Sequence, residues 1–420
     1  MKILVLNSGS SSVKFKIYEV NGDDRELAHG MVERIGLQHA DVKCGCCLVH
    51  DPKCAAKYFG EPGQLCIPDH NVAINMICDL LRSDRCGVIK DISEIAGIGH
   101  RVVHGGEEFS NTALIDDKVI EGIERCAKLA PLHNPPALLG IRACMEAFKN
   151  TPQAAVFDTA FHRSIPEKAF RYAIPEEFYL KHGIRKYGFH GTSHRYVSRE
   201  AAKLLGKPIE ETRIITCHLG NGSSITAVAG GKSIDTTMGL TPLAGVMMGT
   251  RPGDLDPYIP IFMIKELGMS APEVDKILNK HSGFEGICHH HDVREIEALS
   301  KDGDKNCSLA LEMFAYRASR FIGGSAMALN GVDAIVFTGG IGEHDADMRA
   351  RMLANATHLG VKIDPERNAK HEKVITTDSS PTKVFVIPTN EELVIARDTA
   401  WIVKKLAEHN ESKAVAAVAN

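Results

Sequence analysis

No apolar run in this 420-residue chain reaches the ~18–20 residues that a helix needs to span a bilayer. It also lacks a strong charge of either sign: 49 Lys and Arg against 53 Asp and Glu leave a formal net charge of −4. Such a balance gives no electrostatic footprint for nucleic acid or an anionic membrane, and neither is expected as a partner. An export signal is missing too, because MKILVLNSGS has one lysine, a short apolar run and no small-residue cleavage pattern. The expected compartment is therefore the cytoplasm, and the twelve cysteines are not read as a disulfide scaffold. Cys44, Cys46, Cys47 and Cys54 cluster, but no second CxxC pair completes a zinc pattern. They are read as free thiols in a loop. The run Cys288-His289-His290-His291 has a metal-like composition, yet consecutive residues do not converge on one ion, so a surface loop is expected. Low-complexity segments and long linkers are absent. At this length one core is unusual, and two domains are expected.

What is present is a Gly/Ser turn that occurs twice, about two hundred residues apart. Residues 2–15 read KILVLNSGSSSVKF and residues 214–228 read IITCHLGNGSSITAV. In each, an apolar run meets a polar residue, Asn7 or His218, then a Gly/Ser turn and a second apolar stretch. That pattern predicts a strand–turn–strand hairpin, whereas the common phosphate loop opens a helix. Backbone N–H groups and hydroxyls at such a tip can face an anion. Gly9, Ser10, Ser11 and Ser12, with Lys14 as a point charge, and Gly220, Asn221, Gly222, Ser223 and Ser224 are the candidate phosphate contacts. The duplication points to two related half-molecules of mixed α/β structure facing a nucleotide cleft.

Between the hairpins, spacing predicts a helix over 71–81 and a buried strand over 95–103 that carries Arg101. The prolines of PLHNPP, 131–136, predict a turn before a helix over 137–148. A short strand over 154–157 ends at Asp158. YGFHGTSH, 187–194, reads as a loop ahead of a helix over 198–205, and 237–257 is rich in Gly and Pro and loop-like. Helices are expected over 273–279 and 308–329, and strands over 334–337 and 383–387. A closing helix over 392–408 follows the second domain and is placed to pack back on the first; the Ala-rich tail after Ser412 is expected to fray. The domain expectation is 1–155 with 393–420, and 156–392.

Phosphoryl transfer needs cations around a transition state whose charge is spread over oxygens. Arg101 and Arg251 sit beside glycines at strand or loop ends, and His133, His190 and His218 occupy similar places. Each histidine taken alone reads more readily as a structural one, but three of them in Gly/Pro-bounded loops are harder to dismiss together. Asp158 and Glu391 are candidates for magnesium or general-base work, while adjacent Glu391 and Glu392 also suit a helix start. TGGIGEH, 338–344, lets a flat base or ribose approach the backbone.

Together these blocks resemble the acetokinase family, within the sugar kinase, heat-shock 70 and actin superfamily. The motifs LNSGSSSVKF, GHRVVHGG, PLHNPP, VFDTAFH, YGFHGTSH, HLGNGSS, GTRPGDLDP, FTGGIGE and PTNEELVIARDT stand in register from Lys2 to about Trp401. The resemblance implies a duplicated, actin-like (ribonuclease H-like) fold and reversible, ATP-dependent phosphorylation of acetate to acetyl phosphate. It implies magnesium, or manganese in its place, at Asn7 and Glu391, and a nucleotide-phosphate contact from Lys14. Arg101 resembles the carboxylate-binding group and Asp158 the acidic active-site residue. His190 and Arg251 look like transition-state stabilisers, with His133 nearby. The nucleotide segments correspond to His218, Leu219, Gly220, Asn221 and Gly222; to Asp292, Val293 and Arg294; and to Gly340, Ile341, Gly342, Glu343 and His344. Val103, Leu132, Phe189 and Pro242 match the pocket for the acetate methyl, and a homodimer is implied. Because a carboxylate is already a nucleophile, Asp158 is cast as positioning rather than deprotonating, in a direct in-line transfer. Two departures bear on purine choice: His344 stands where the family usually has Asn, and Cys288–His291 differs from a usual Ser-containing run. Alternatives are a propionate- or butyrate-directed kinase and a non-catalytic ATP-binding protein of the actin or heat-shock type.

Overall fold

The computed structural model describes residues 1–37, 41–46, 66–84 and 87–418. Two compact units divide the chain, Met1–Ala160 with Asn390–Asn420, and Phe161–Thr389.

The first unit is built on β1 (Lys2–Ser8), β2 (Ser12–Glu19), β3 (Arg25–Glu33), β4 (Asp41–Cys46), β5 (Ile95–Val102), β6 (Ala113–Leu114) and β7 (Gln153–Phe157). Their order in the sheet is β4-β3-β2-β1-β5-β7-β6. The unbroken apolar run of β1 reflects burial on both faces of the sheet. Leu4 and Leu6 join a core with Ile74 and Ile77 of the helix His70–Arg82 and with Cys144 of the helix Asn134–Ala147. Ile3 and Val5 point the other way and pack on Ile395, Ala396 and Ala400 of the closing helix Glu391–Val418. That helix lies close because β5 carries glycines. A Cβ on Gly97 would stand 2.7 Å from Val403 Cγ2, and one on Gly99 2.6 Å from Ile395 Cγ2.

The second unit holds β8 (Arg213–Leu219), β9 (Ser223–Ala229), β10 (Lys232–Thr236), β11 (Ala334–Thr338) and β12 (Lys383–Val386), in the order β10-β9-β8-β11-β12. Two antiparallel pairings are followed by two parallel ones. The run β3-β2-β1-β5-β7 of the first unit has the same pattern. Both Gly/Ser turns thus join the first two strands of equivalent sheets. Alternation on β8 sends Ile215, Cys217 and Leu219 into the core under the helix Lys305–Leu329. Ile214 faces Val197 and Ala201 of the helix Gly191–Leu205. By the same period of two, His218 shares the side of Ile214 and Thr216.

Three local readings are corrected. The prolines of PLHNPP do not delay the helix: Pro135 and Pro136 lie in its first turn, where the missing N–H groups would have had no partner anyway. YGFHGTSH is a loop only as far as His190, and its last four residues are already helical. The closing helix continues to Val418, past the point where fraying is expected. Cys47 and Cys54 lie outside the described residues; Cys44 and Cys46 belong to β4. Among the described residues, no helix is long and apolar enough to cross a membrane.

Candidate active site

In the first unit, adjacent parallel strands deliver two charged groups to one place. Arg101 sits one residue before the end of β5, and Asp158 follows the last residue of β7, its N–H bonded to Val102 O at 2.9 Å. Arg101 Nη2 donates to Asp158 Oδ2 at 2.6 Å, and Nε lies 3.2 Å from both carboxylate oxygens. Glu391, at the start of the closing helix, brings Oε2 to 3.6 Å from Arg101 Nε. Asp158 is sealed, but the side chains of Arg101 and Glu391 keep 23% and 16% of their surface open, enough for a small ligand to touch. The Asp158 carboxylate, first of all, holds the Arg101 guanidinium above its ordinary range. Burial pushes the Glu391 carboxyl up to about 7, against Arg101 and with help from the charges of Asp158 and Glu392.

At the first hairpin, Asn7 and Lys14 are directly paired across β1 and β2, so their side chains share one face. It is the face of Ile3 and Val5, covered by the closing helix. The Gly9 N–H closes the turn on Ser12 O at 2.7 Å. Val103 lies just beyond β5 and is half-buried, whereas Leu132 is 61% exposed and His133 is exposed ahead of its helix.

In the second unit, four histidine rings pack together, and side-chain hydroxyls hold them. His190 takes a left-handed backbone, φ 56°, as it turns the chain into the helix Gly191–Leu205. Its Nδ1 lies 2.8 Å from Ser224 Oγ, which also meets Nε2 of fully buried His194 at 2.7 Å. His194 Nδ1 reaches Thr216 Oγ1 at 2.7 Å, and Ser193 Oγ reaches His218 Nδ1 at 2.8 Å. The rings of His190 and His218 stack with centroids 4.2 Å apart. The fourth, His162, supports the backbone with Nε2 2.9 Å from Phe189 O. Arg251 donates through Nη1 to Pro242 O at 2.8 Å, and burial lowers its guanidinium below the ordinary value. The tip of the second hairpin touches this set. A Cβ on Gly222 would sit 2.8 Å from Arg251 Nη2 and 3.4 Å from His190 Nε2.

Beside that tip lies a cavity of about 420 Å³. Gly220 and Asn221, then Asp292, Val293 and Arg294, then Gly340, Ile341 and His344 all line it, so one space gathers members of three widely separated segments. Its size suits a nucleoside.

The model of the acetokinase family matches residues 2–397. The chain belongs to the acetokinase family. An acetate kinase of Clostridium kluyveri is 52% identical, with 97% of this chain and 99% of that protein covered. Among solved structures, an acetate kinase of Porphyromonas gingivalis has a TM-score of 0.88 at 42% identity, covering 96% of this chain and 99% of that one. A propionate kinase of Francisella tularensis has a TM-score of 0.86 at 44% identity, covering 95% and 99%.

Against the acetokinase motifs, the geometry divides the expected residues. Arg101, Asp158 and Glu391 converge in the first unit, and His190, His218, Gly222 and Arg251 in the second. Val103 and Leu132 belong to the first unit, Phe189 and Pro242 to the second, and the Phe189 ring is buried. Glu343 holds up its own turn: Oε1 accepts from Gly339 N at 2.8 Å and from Thr389 N at 3.3 Å. Asp292 caps the helix Val293–Lys301 and pairs with Arg294 at 2.6 Å. That pairing, before any other cause, holds the Asp292 carboxyl down at about 2.

Sequence reasoning missed Asn134 and His194. Buried Asn134 accepts from His104 N at 3.1 Å and donates to His104 O at 3.0 Å, tying PLHNPP to GHRVVHGG. The separation of four between His190 and His194 was a usable signal, but only with the helix start placed correctly.

Proposed function

We propose that this acetokinase transfers the γ-phosphoryl group of ATP to acetate, reversibly, giving acetyl phosphate and ADP. Two sets of groups, each within its own unit, carry the reading: the forked Arg101–Asp158 pair in one, and the Gly222–His190–Arg251 cluster beside a nucleoside-sized cavity in the other. The reaction asks both sets to act on one phosphoryl group.

The acetate carboxylate needs no base, because it is ionised at neutral pH. Asp158 takes Nε and Nη2 of Arg101, and a guanidinium has five N–H donors, so Nη1 can hold the substrate carboxylate. Asp158 then fixes the orientation of Arg101 rather than moving a proton. His190, positioned through Ser224, and Arg251, positioned through Pro242 O, offer donors to the equatorial oxygens of the group in flight. Backbone and hydroxyl groups at a hairpin tip of this kind suit a phosphate, and Lys14 adds a point charge.

The oxygen-rich set Asn7, Asp158 and Glu391 fits magnesium, which takes one or two carboxylates and fills its other positions with water and phosphate oxygens. A buried Glu391 carboxyl held up near neutrality, with Asp158 beside it, is a group whose ionisation a divalent cation favours. When bound there, magnesium neutralises charge on the transferring phosphoryl group.

Propionate as the preferred acceptor is a second reading, favoured by the likeness to the Francisella propionate kinase. One methylene changes selectivity by only ~1–3 kcal/mol, so both acids are expected to react at different rates. A homodimer is supported by the helix Tyr258–Lys265, none of whose side chains is buried and whose Ile259, Ile261 and Phe262 are exposed.

The test is hydroxamate trapping of the acyl phosphate made from ATP and magnesium with acetate, propionate and butyrate. Acetate-dependent product is expected, with propionate slower. ATP binding without product from any acid would exclude the kinase and favour a non-catalytic ATPase-like role.

A further inference from the structure

His70 falls outside every motif, yet it is buried and reaches the first hairpin tip. It opens the helix His70–Arg82, whose cap Asp69 accepts from Val72 N at 2.9 Å. Ala73, Ile74 and Ile77 fix that helix in the core shared with Leu4 and Leu6 of β1. From this anchored position His70 Nε2 lies 2.9 Å from Gly9 O. A carbonyl only accepts, so this nitrogen carries the proton and donates it.

The turn between β1 and β2 explains why that bond is needed. Gly9 N–H donates to Ser12 O at 2.7 Å. The matching bond from Ser12 N–H to Gly9 O, which a two-residue hairpin ordinarily makes, does not occur among the described residues. His70 takes that carbonyl instead. Ser11 O is also held from outside the turn, by Ile35 N at 3.0 Å. In a trans peptide the C=O and the following N–H point in opposite directions. A Gly9 carbonyl drawn toward His70 therefore sets the Ser10 N–H on the other side, and the pull of Ile35 does the same for Ser12. Among the described residues, no backbone acceptor takes the N–H of Ser10 or Ser11.

The second tip restrains the corresponding carbonyl by its own means. Gly220, the first residue after β8, gives its oxygen to Ser223 Oγ of the same turn at 3.1 Å. Both tips thus keep this oxygen engaged, which suits a turn that presents N–H groups to an anion. Only the first relies on a side chain from a separate helix.

We propose that His70 is a positioning residue for nucleotide phosphate: by capturing Gly9 O it keeps the N–H groups of the first tip aimed outward at an anion. The inference rests on the reading of that tip as a phosphate site. Its signature is selective, because a nucleoside without phosphates does not use the tip.

The experiment titrates the full chain with ADP and with adenosine by calorimetry, beside kinetics with ATP and acetate varied in turn. His70→Phe keeps a ring in the buried space and removes the donor. It is expected to weaken ADP binding and raise KM for ATP roughly tenfold, as loss of a hydrogen bond in a charged site does. Adenosine affinity and KM for acetate should stay within about twofold. His70→Gln, whose amide N–H can donate to the same carbonyl, should recover most of the loss. A measurement on the unaltered protein needs no variant: with imidazole nitrogens labelled, the His70 Nε2 resonance should move on ADP binding and not on adenosine binding. Unchanged ADP affinity in folded His70→Phe, equal losses for ADP and adenosine, no recovery in His70→Gln, or a His70 resonance indifferent to ADP overturns the inference and leaves the kinase standing. Absence of both ADP binding and turnover in the unaltered protein overturns the proposed function, and this inference with it.

Discussion

Arg251 is where catalysis and stability separate best. Its guanidinium meets the hairpin tip at Gly222 and is steered by Pro242 O rather than by an ion pair in the core. Arg251→Ala is expected to lower kcat by about 10²–10³, as loss of one transition-state donor does, with little change in the thermal midpoint. Acyl-phosphate assays beside a melting curve decide this; a large fall in midpoint would assign the lost activity to misfolding. Gly222→Ala should act on the same contact, because its methyl group would stand 2.8 Å from Arg251 Nη2. We expect a smaller fall in kcat than for Arg251→Ala, with nucleotide affinity near that of the unaltered protein, measurable by ADP titration. At this scale the sequence is most readable where a charge stands at the end of a buried strand, as Arg101 and Asp158 do. It is least readable where a carboxylate serves its own backbone. Nothing in TGGIGEH says that Glu343 accepts from Thr389 as well as from Gly339, because the second bond comes from a residue far along the chain.

At the scale of elements, β5 and the closing helix form the contact most open to attack. Gly99→Val would drive a branched side chain into Ile395 and Thr399. Overpacking of this kind costs about 1–3 kcal/mol. Because Glu391 begins the displaced helix, activity should fall further than stability, which urea unfolding and kinetic assays on one preparation will show. Wild-type kinetics in a folded Gly99→Val protein would mean that the helix position is not needed. Both hairpins were legible because a Gly/Ser turn between β-rich runs has few other solutions. The start of the helix Gly191–Leu205 was not. Glycine, threonine and serine at its first positions look like loop, and the residue that turns the chain is a left-handed histidine, which no local rule anticipates.

Across the whole molecule, acid should be the weak side. His100, His104, His162 and His194 are all buried, and burial lowers the first three to about 4 and His194 well below its ordinary value. Their folded values lie below the unfolded ~6.5, so their contribution is complete above that pH and is lost as pH falls toward 4. Each such group contributes a slope of up to ~1.4 kcal/mol per pH unit in this window. The urea midpoint at about pH 5 should therefore lie well below that at about pH 7.5; equal midpoints would show that these imidazoles are not buried as neutral groups. A second expectation concerns self-association. Phe262→Glu, on the exposed apolar helix Tyr258–Lys265, should convert a dimer to monomers in sedimentation experiments. A wild-type monomer would remove the homodimer. The duplication itself was legible in the two Gly/Ser turns, whereas the extra strands β4 and β6 and the length of the closing helix were not, because what fixes them is packing between distant segments.

The return of the chain to its first unit has a consequence for how the protein is made. On a ribosome, folding usually proceeds from the N-terminus, one domain at a time. Here residues 1–160 emerge first but lack the helix that covers Ile3, Val5 and the glycine face of β5. Phe161–Thr389 is continuous and holds its whole sheet, so it can finish folding while the earlier segment still waits. The helix that brings Glu391 leaves the ribosome after both of these segments. A nascent chain thus gains Glu391 only after the second unit has been made, and a product truncated before this helix is left with an open apolar face that quality-control machinery can recognise.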